Sequence, residues 1–387
     1  MAPRGLIAPL ALSLAALACA NIQPPPGGPP DTEPPELVGT FPESLAVLPG
    51  FHGAVEFRFN EVVSEGSQPS QGLGTGDLER LVILSPTTQV PEVRWHRRRI
   101  SVRPAEGWQP NRVYRVELLP GVADVRQNRG KAEAVITFTT GAPPPRDTLS
   151  GRVYDWRAGR PAAGALVEAV LEPDSLPYRG LADSSGSFRL GPLPRGDYLV
   201  YGVIDENKNR QRDPREAWDT VRIAADSLRP AELYAFVHDT APPRIASVTA
   251  TDSLTATITF AQPLDPFQRL DPGAATLRRL PDSTTIPVRT LAQRDSAAPA
   301  ADTTRALRRP PLSDRLTLRA GEPWHPGDRL ELEIAGVRTV TGVTGTVRAP
   351  LVIERPKPGR VPSDTGRRAP AADSLRPGPG GAERSPP

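Results

Sequence analysis

Short runs in which apolar and polar residues trade places recur along the chain. Val55-Glu56-Phe57-Arg58-Phe59, Ile100-Ser101-Val102, Tyr114-Arg115-Val116-Glu117-Leu118 and Val135-Ile136-Thr137-Phe138 all largely follow this rule. A period of two turns one set of side chains into a core and the other into water, as in half-buried antiparallel strands. Few stretches keep a 3.6-residue period over the length of a helix, so neither a helical bundle nor a large α/β enzyme is expected. Pro, Gly and Asn separate the runs. Short strands joined by such turns predict an all-β chain of sandwich domains.

The pattern repeats over a longer interval. Asp31-Thr32-Glu33-Pro34-Pro35-Glu36-Leu37-Val38 returns 208 residues later as Asp239-Thr240-Ala241-Pro242-Pro243-Arg244-Ile245-Ala246. Trp108-Gln109-Pro110-Asn111-Arg112-Val113 is echoed 216 residues on by Trp324-His325-Pro326-Gly327-Asp328-Arg329. Two copies of one domain therefore flank a different middle section. That section carries Gly151-Arg152-Val153-Tyr154-Asp155, Asp183-Ser184-Ser185-Gly186-Ser187-Phe188 and Leu193-Pro194-Arg195-Gly196-Asp197-Tyr198. Gly186 suits a hairpin turn that needs positive φ, and Gly196 a tight turn before the strand Tyr198-Leu199-Val200-Tyr201.

Residues 32–141 resemble the bacterial Ig-like domain of S-layer (SbsA) type. The likeness rests on the Pro34-Pro35 start, Phe59-Asn60-Glu61 at a strand end, the Trp108-Gln109-Pro110-Asn111 turn and the closing Thr137-Phe138-Thr139-Thr140. The second copy, residues 240–354, is similar but divergent, with Phe260-Ala261-Gln262-Pro263 at the Phe-Asn-Glu step and an Ala/Asp/Arg-rich segment from Arg294 to Pro310 read as a disordered loop. Residues 149–238 resemble the carboxypeptidase regulatory-like (transthyretin-like) sandwich. That resemblance implies an accessory domain without catalytic residues.

Composition adds the ends of the chain. The 48 prolines and 33 glycines make up about a fifth of the 387 residues, against roughly 12% in average usage. Residues 1–18 follow the secretory pattern, with Arg4 ahead of an apolar run too short to span a bilayer comfortably. Ala16-Leu17-Ala18-Cys19 resembles a bacterial lipobox, although Leu stands one place later than usual. The resemblance implies acylation of Cys19, which makes membrane lipid a partner, and Ala20 in place of Asp implies the outer membrane. An ordinary signal peptide with a free thiol near its cleavage site is the alternative. Residues 19–31 contain Pro24-Pro25-Pro26-Gly27-Gly28-Pro29-Pro30, an extended tether. Residues 355–387 are rich in proline and poor in large apolar side chains, which predicts a disordered tail. The net charge of +3 is spread along the chain and does not imply nucleic acid.

One segment has ligand spacing. Set against a twelve-residue calcium loop, Asp205, Asn207, Asn209, Asp213 and Glu216 fall at positions 1, 3, 5, 9 and 12, and the Gln211 carbonyl at 7. Alternate side chains of a curled loop can then surround one hard cation. Arg210 stands where the loop's sharp turn favours Gly, and Lys208 and Arg212 add unfavourable charge. The competing reading is a solvated, Asx-rich turn; if calcium binds, the few carboxylates predict weak affinity.

No nucleophile-base motif or phosphate loop is recognisable, and His52, His96, His238 and His325 lie far apart. Arg94 to Arg99 reads as a hairpin tip. Trp95, Trp108 and Trp324 are the only basis for a carbohydrate platform, with packing as the competing role. The expectation is a non-enzymatic, lipid-anchored envelope scaffold or adhesion protein, periplasmic or surface-facing, with an envelope protein or glycan as partner; a carbohydrate- or peptidoglycan-binding accessory module is the alternative.

Overall fold

The computed structural model describes residues 30–66, 78–227, 229–293 and 309–354. Cys19, nearly all of the tether, residues 294–308 and the tail from 355 lie outside the described residues. Among the described residues there is no α-helix, and no helix is long and apolar enough to cross a membrane. The chain is all-β, a tandem array of sandwiches.

The first unit contains β1 (Leu37–Phe41), β2 (Val55–Phe59), β3 (Val82–Ser85), β4 (Glu92–Trp95), β5 (Arg99–Arg103), β6 (Val113–Leu118) and β7 (Ala134–Thr139). A sheet ordered β1-β2-β5-β4 faces one ordered β3-β6-β7. Strand β2 shows how the alternation works. Val55, Phe57 and Phe59 enter the core with Ile100, Val116 and Phe138, while Glu56 on the outer side pairs with Arg58 at 2.8 Å and Arg99 at 2.9 Å. Burying a phenylalanine contributes roughly 1.5–3 kcal/mol, whereas exposed ion pairs add about 0–1. The hydrophobic side of the alternation therefore sets the register.

The middle unit comprises β8 (Asp147–Asp155), β9 (Arg160–Pro161), β10 (Leu166–Leu171), β11 (Leu176–Leu181), β12 (Ser187–Leu193), β13 (Asp197–Ile204), β14 (Ala217–Ala224) and β15 (Ala231–Val237). They form one sheet, β11-β10-β13-β14-β15-β8-β12, with β9 on β8. Strands β14 and β15 share only the pairs Ala217↔Val237 and Trp218↔Phe236. The sheet folds at this short seam, so that Val153, Phe188 and Leu233 from one half meet Val167, Tyr178 and Tyr198 from the other in a single core. Gly186 adopts φ 73° at the β12 turn, and a Cβ there would meet the Val153 carbonyl oxygen at 2.5 Å.

The third unit holds β16 (Ile245–Ala250), β17 (Thr255–Leu264), β18 (Ala275–Leu280), β19 (Thr284–Ile286), β20 (Val288–Gln293), β21 (Ser313–Ala320), β22 (Arg329–Arg338) and β23 (Thr344–Val352). Sheet β16-β17-β21-β20 packs on β19-β18-β22-β23. On β17, Ala256, Ile258, Phe260 and Leu264 point into the core beside Leu316, Leu332 and Trp324.

Successive units are joined by buried contacts. Edge strand β11 lies along β3. The Arg179 peptide N–H donates to Ser85 Oγ at 2.9 Å, and the Tyr178 hydroxyl donates to the Val113 carbonyl at 3.1 Å. Arg115, only 4% exposed, donates to Glu117 at 2.7 Å and to the Arg179 carbonyl at 3.2 Å. On the other side, Trp156 and Tyr234 of the middle unit pack with Leu312 of the third, and Trp156 Nε1 donates to the Pro310 carbonyl at 2.8 Å.

Candidate functional site

The loop from Asp205 to Glu216 connects β13 to β14, neighbours in the middle sheet. Eight register pairs hold the two strands, from Asp197↔Ala224 to Ile204↔Ala217. Both ends of the loop are therefore brought together by a rigid hairpin. Its interior is organised by its own side-chain oxygens. Asp205 Oδ1 accepts from the Asn209 N–H at 3.1 Å and Oδ2 from the Arg210 N–H at 2.8 Å. Asn207 Oδ1 accepts from Asn209 at 2.9 Å, Asn209 Oδ1 from Gln211 at 2.8 Å, and Asp213 Oδ1 from Arg215 at 2.9 Å. Glu216 folds back over the start of the loop, where its Oε1 accepts from the Glu206 N–H at 3.0 Å.

The second carboxylate oxygen of Glu216 is the anomaly. Glu216 is 8% exposed, and Oε2 is buried with no hydrogen-bond partner. Burial pushes its carboxyl above the usual carboxylate value, and the backbone N–H groups of Asn207, Glu206 and Asp213 offset this only in part. A buried, unpaired carboxylate oxygen ordinarily costs 1–3 kcal/mol or more. A hard cation among the loop oxygens would relieve that cost. Asp205, Asn207, Asn209, Asp213 and Glu216 offer side-chain oxygens of the kind calcium takes, with Gln211 exposed at the rim, but no three carboxylates of the loop lie within 4.8 Å of one another.

Two of the three basic residues that sequence alone sets against a cation, Arg210 and Arg212, are engaged elsewhere. Arg210 takes the sharp turn at φ 57° and Lys208 a second left-handed position at φ 58°. The Arg210 guanidinium leaves the loop and donates to the Val82 carbonyl of the first unit at 2.6 Å. Burial there lowers its pKa to about 10. Arg212 lies over the Tyr201 ring, 4.0 Å from its centroid. Beside the loop a cleft of about 290 Å³ opens between the first and middle units, lined among others by Thr87, Glu168, Arg179, Asn209 and Arg210.

A second acidic group escaped the sequence reading, because its members are far apart in the chain. The carboxylates of Asp31, Glu61 and Asp124 approach within 4.8 Å of one another. Burial pushes the Asp124 carboxyl up, but hydrogen bonds from Asn128 and Arg126 outweigh it and hold the group low. The bridges Val63↔Asp124 and Leu264↔Thr339 place Thr339 at the equivalent point of the second copy. Neutral Gln262 there donates to the Pro242 carbonyl at 3.1 Å. The signal available in the sequence was the Glu61 carboxylate at the Phe59-Asn60-Glu61 strand end.

Trp95, Trp108 and Trp324 all take part in packing. Trp95 Nε1 donates to the Val63 carbonyl at 2.9 Å, Trp108 Nε1 to Gly53 at 2.8 Å and Trp324 Nε1 to Asp252 at 2.8 Å. Trp108 is wedged among Phe51, Tyr114 and Phe138, and Trp324 is 3% exposed. Trp95 and Trp108 remain half-buried at the edge of the first core. The equivalent indole bonds in both copies explain why the tryptophan recurs. The Arg94 to Arg99 cluster is a hairpin tip between β4 and β5, with Arg97 at φ 58°.

Comparison with known proteins agrees with the first unit's architecture. Comparison with curated proteins finds no match. Among solved structures, the N-terminal part of the bacterial S-layer protein SbsC aligns at 18% identity over 31% of this chain, with a TM-score of 0.24. The present chain spans a quarter of that one. The Bacillus anthracis TIE protein aligns at 10% identity over 85% of this chain and 56% of its own, TM-score 0.18. A DUF3823 family protein from Bacteroides uniformis aligns at 9% identity over 54% of this chain and 100% of its own, TM-score 0.16. Likenesses this slight carry no statement about role. The match that does carry weight is to a family model: residues 31–140 match the bacterial Ig-like domain.

Proposed function

We propose that the chain is a non-enzymatic scaffold of the cell envelope, anchored by lipid on Cys19 and presenting three sandwiches in fixed succession. The observation that carries this reading is the pair of buried junctions, Arg115 with Arg179 on one side and Trp156 with Leu312 on the other. A string of independent modules would have no use for a buried arginine or a buried indole at its joints. The bacterial Ig-like domain supports a structural or surface role, and the resemblance of the middle unit to carboxypeptidase regulatory-like domains supports an accessory one. The lipobox supports outer-membrane anchoring, with an envelope protein or glycan as partner. Fractionation of cells tests it: the protein is expected with membranes and Cys19→Ala in the soluble envelope fraction, and the same fraction for both would refute lipid anchoring.

The middle unit adds a calcium site at Asp205, Asn207, Asn209, Gln211, Asp213 and Glu216. The buried Glu216 Oε2 supports this reading over a solvated turn. Calorimetric titration of the chain from Ala20 onward is expected to give saturable heat, weak like that of extracellular modules. Asp205→Ala with Glu216→Ala should abolish it. Silence up to several millimolar calcium would leave the segment an Asx-rich turn.

A further inference from the structure

We infer that calcium in the 205–216 loop stiffens the joint between the first and middle sandwiches, with Arg210 as the strut between them. The inference rests on the calcium reading above and concerns what binding does. Arg210 is fastened at both ends. Its peptide N–H donates to Asp205 Oδ2 at 2.8 Å, and its guanidinium Nη1 donates to the Val82 carbonyl, at the start of β3 in the first unit, at 2.6 Å. The backbone end therefore belongs to the first ligand of the loop, and the side-chain end to the neighbouring domain.

This double attachment gives a reason for a residue that otherwise fits its position poorly. At φ 57° a glycine would meet no steric objection, whereas a residue with a side chain is strained there. An arginine also brings positive charge towards a cation site. What it supplies in return is the bond to Val82, which glycine could not make.

The loop's own charges give the coupling its direction. Glu216 folds over Glu206 at the loop's start, with Oε2 buried and without a hydrogen-bond partner, and Asp205 accepts from the Arg210 N–H at the turn. A cation shared by the Asp205 and Glu216 carboxylates would draw both inward and fix that turn, and with it the direction in which the guanidinium leaves. Other joint contacts, from Arg115, Tyr178 and Arg179 and between Arg112 and Asp174, do not pass through the loop. Calcium is thus expected to narrow the range of interdomain arrangements.

Cys19 is the single cysteine, so the chain from Ala20 onward can carry spin labels at Arg103→Cys and Arg189→Cys, exposed positions in the first and middle units. Distance distributions are measured by double electron-electron resonance with and without several millimolar calcium, beside calorimetry of the same proteins. The expected result is a distribution that narrows with calcium in the parent chain and stays broad in Arg210→Gly and Arg210→Ala, while both variants still bind calcium. Narrowing that persists in both variants overturns the strut and leaves the calcium site standing, as does calcium heat in the parent without narrowing. Loss of calcium heat in both variants also overturns it, since Arg210 would then serve the loop itself. Absence of heat in the parent overturns the calcium reading and this inference with it.

Discussion

His238 stacks on Trp218, ring centroids 3.8 Å apart, and on Phe236, 4.1 Å apart, and its Nδ1 is buried without a hydrogen-bond partner. Burial holds its pKa below the usual 6.5, although the nearby Asp219 carboxylate favours the charged ring. Arg309, which lies over the Tyr234 ring, favours the charged form of the same Asp219. The unfolded chain therefore binds a proton more readily than the folded one. Stability is complete above the unfolded pKa and is lost as pH falls from about 6.5 towards the lower folded value. In His238→Phe the stack survives without a titrating ring. The melting temperature of the parent minus that of the variant should fall between pH 7.5 and 5.5, and a difference independent of pH would show that the ring is protonated as easily in the fold as outside it.

Strand β8 illustrates what an element demands that its sequence pattern does not announce. It runs parallel to β15 and antiparallel to β12, with Gly151 opposite Ala231 on one side and Phe188 on the other. A Cβ at Gly151 would lie 2.4 Å from the Ala231 carbonyl oxygen and 2.7 Å from the Phe188 ring. Backbone atoms cannot yield as a flexible side chain can. Gly151→Ala should therefore destabilise the middle sandwich by about 1–3 kcal/mol, the range for an overpacked core, and denaturant unfolding followed by fluorescence would measure it. Stability equal to the parent's would mean that β8 can shift against its neighbours. The loop between β13 and β14 belongs to the same scale: its ligand spacing is local, but its closure depends on the register of the hairpin beneath it.

Across the whole molecule, the two junctions decide whether three sandwiches behave as one body. Trp156 is 4% exposed beneath Leu312 and Pro310, and Arg309 lies 5.5 Å from its ring centroid. Truncating a buried tryptophan costs about 3–5 kcal/mol. Here the cost is divided between the third unit, through Leu312 and the Pro310 carbonyl, and the Tyr234 and Phe236 rings of the middle unit. Trp156→Ala is expected to raise the radius of gyration in small-angle X-ray scattering while each sandwich keeps its fold. An unchanged scattering curve would show that the linker at Asp239 and Thr240 holds the arrangement without the indole.

Much of this was legible in the amino-acid order, for physical reasons. Alternation over two residues, as in Val55 to Phe59, is a local property, and so are the turn requirement at Gly186 and the oxygen spacing from Asp205 to Glu216. Repetition of Asp31-Thr32-Glu33-Pro34-Pro35 and of Trp108 exposed the duplicated unit because the same packing solution was used twice. Tertiary structure decided everything that depends on residues distant in the chain meeting. It packed Trp95 and Trp108 against one core and buried Trp324 in another, drew Asp31, Glu61 and Asp124 together, and buried Glu216 Oε2. It also sent Arg210 out of its loop to Val82, 128 residues away. Periodicity reports which side of a strand is apolar; which backbone carbonyl waits across a domain boundary is settled only when the sheets pack.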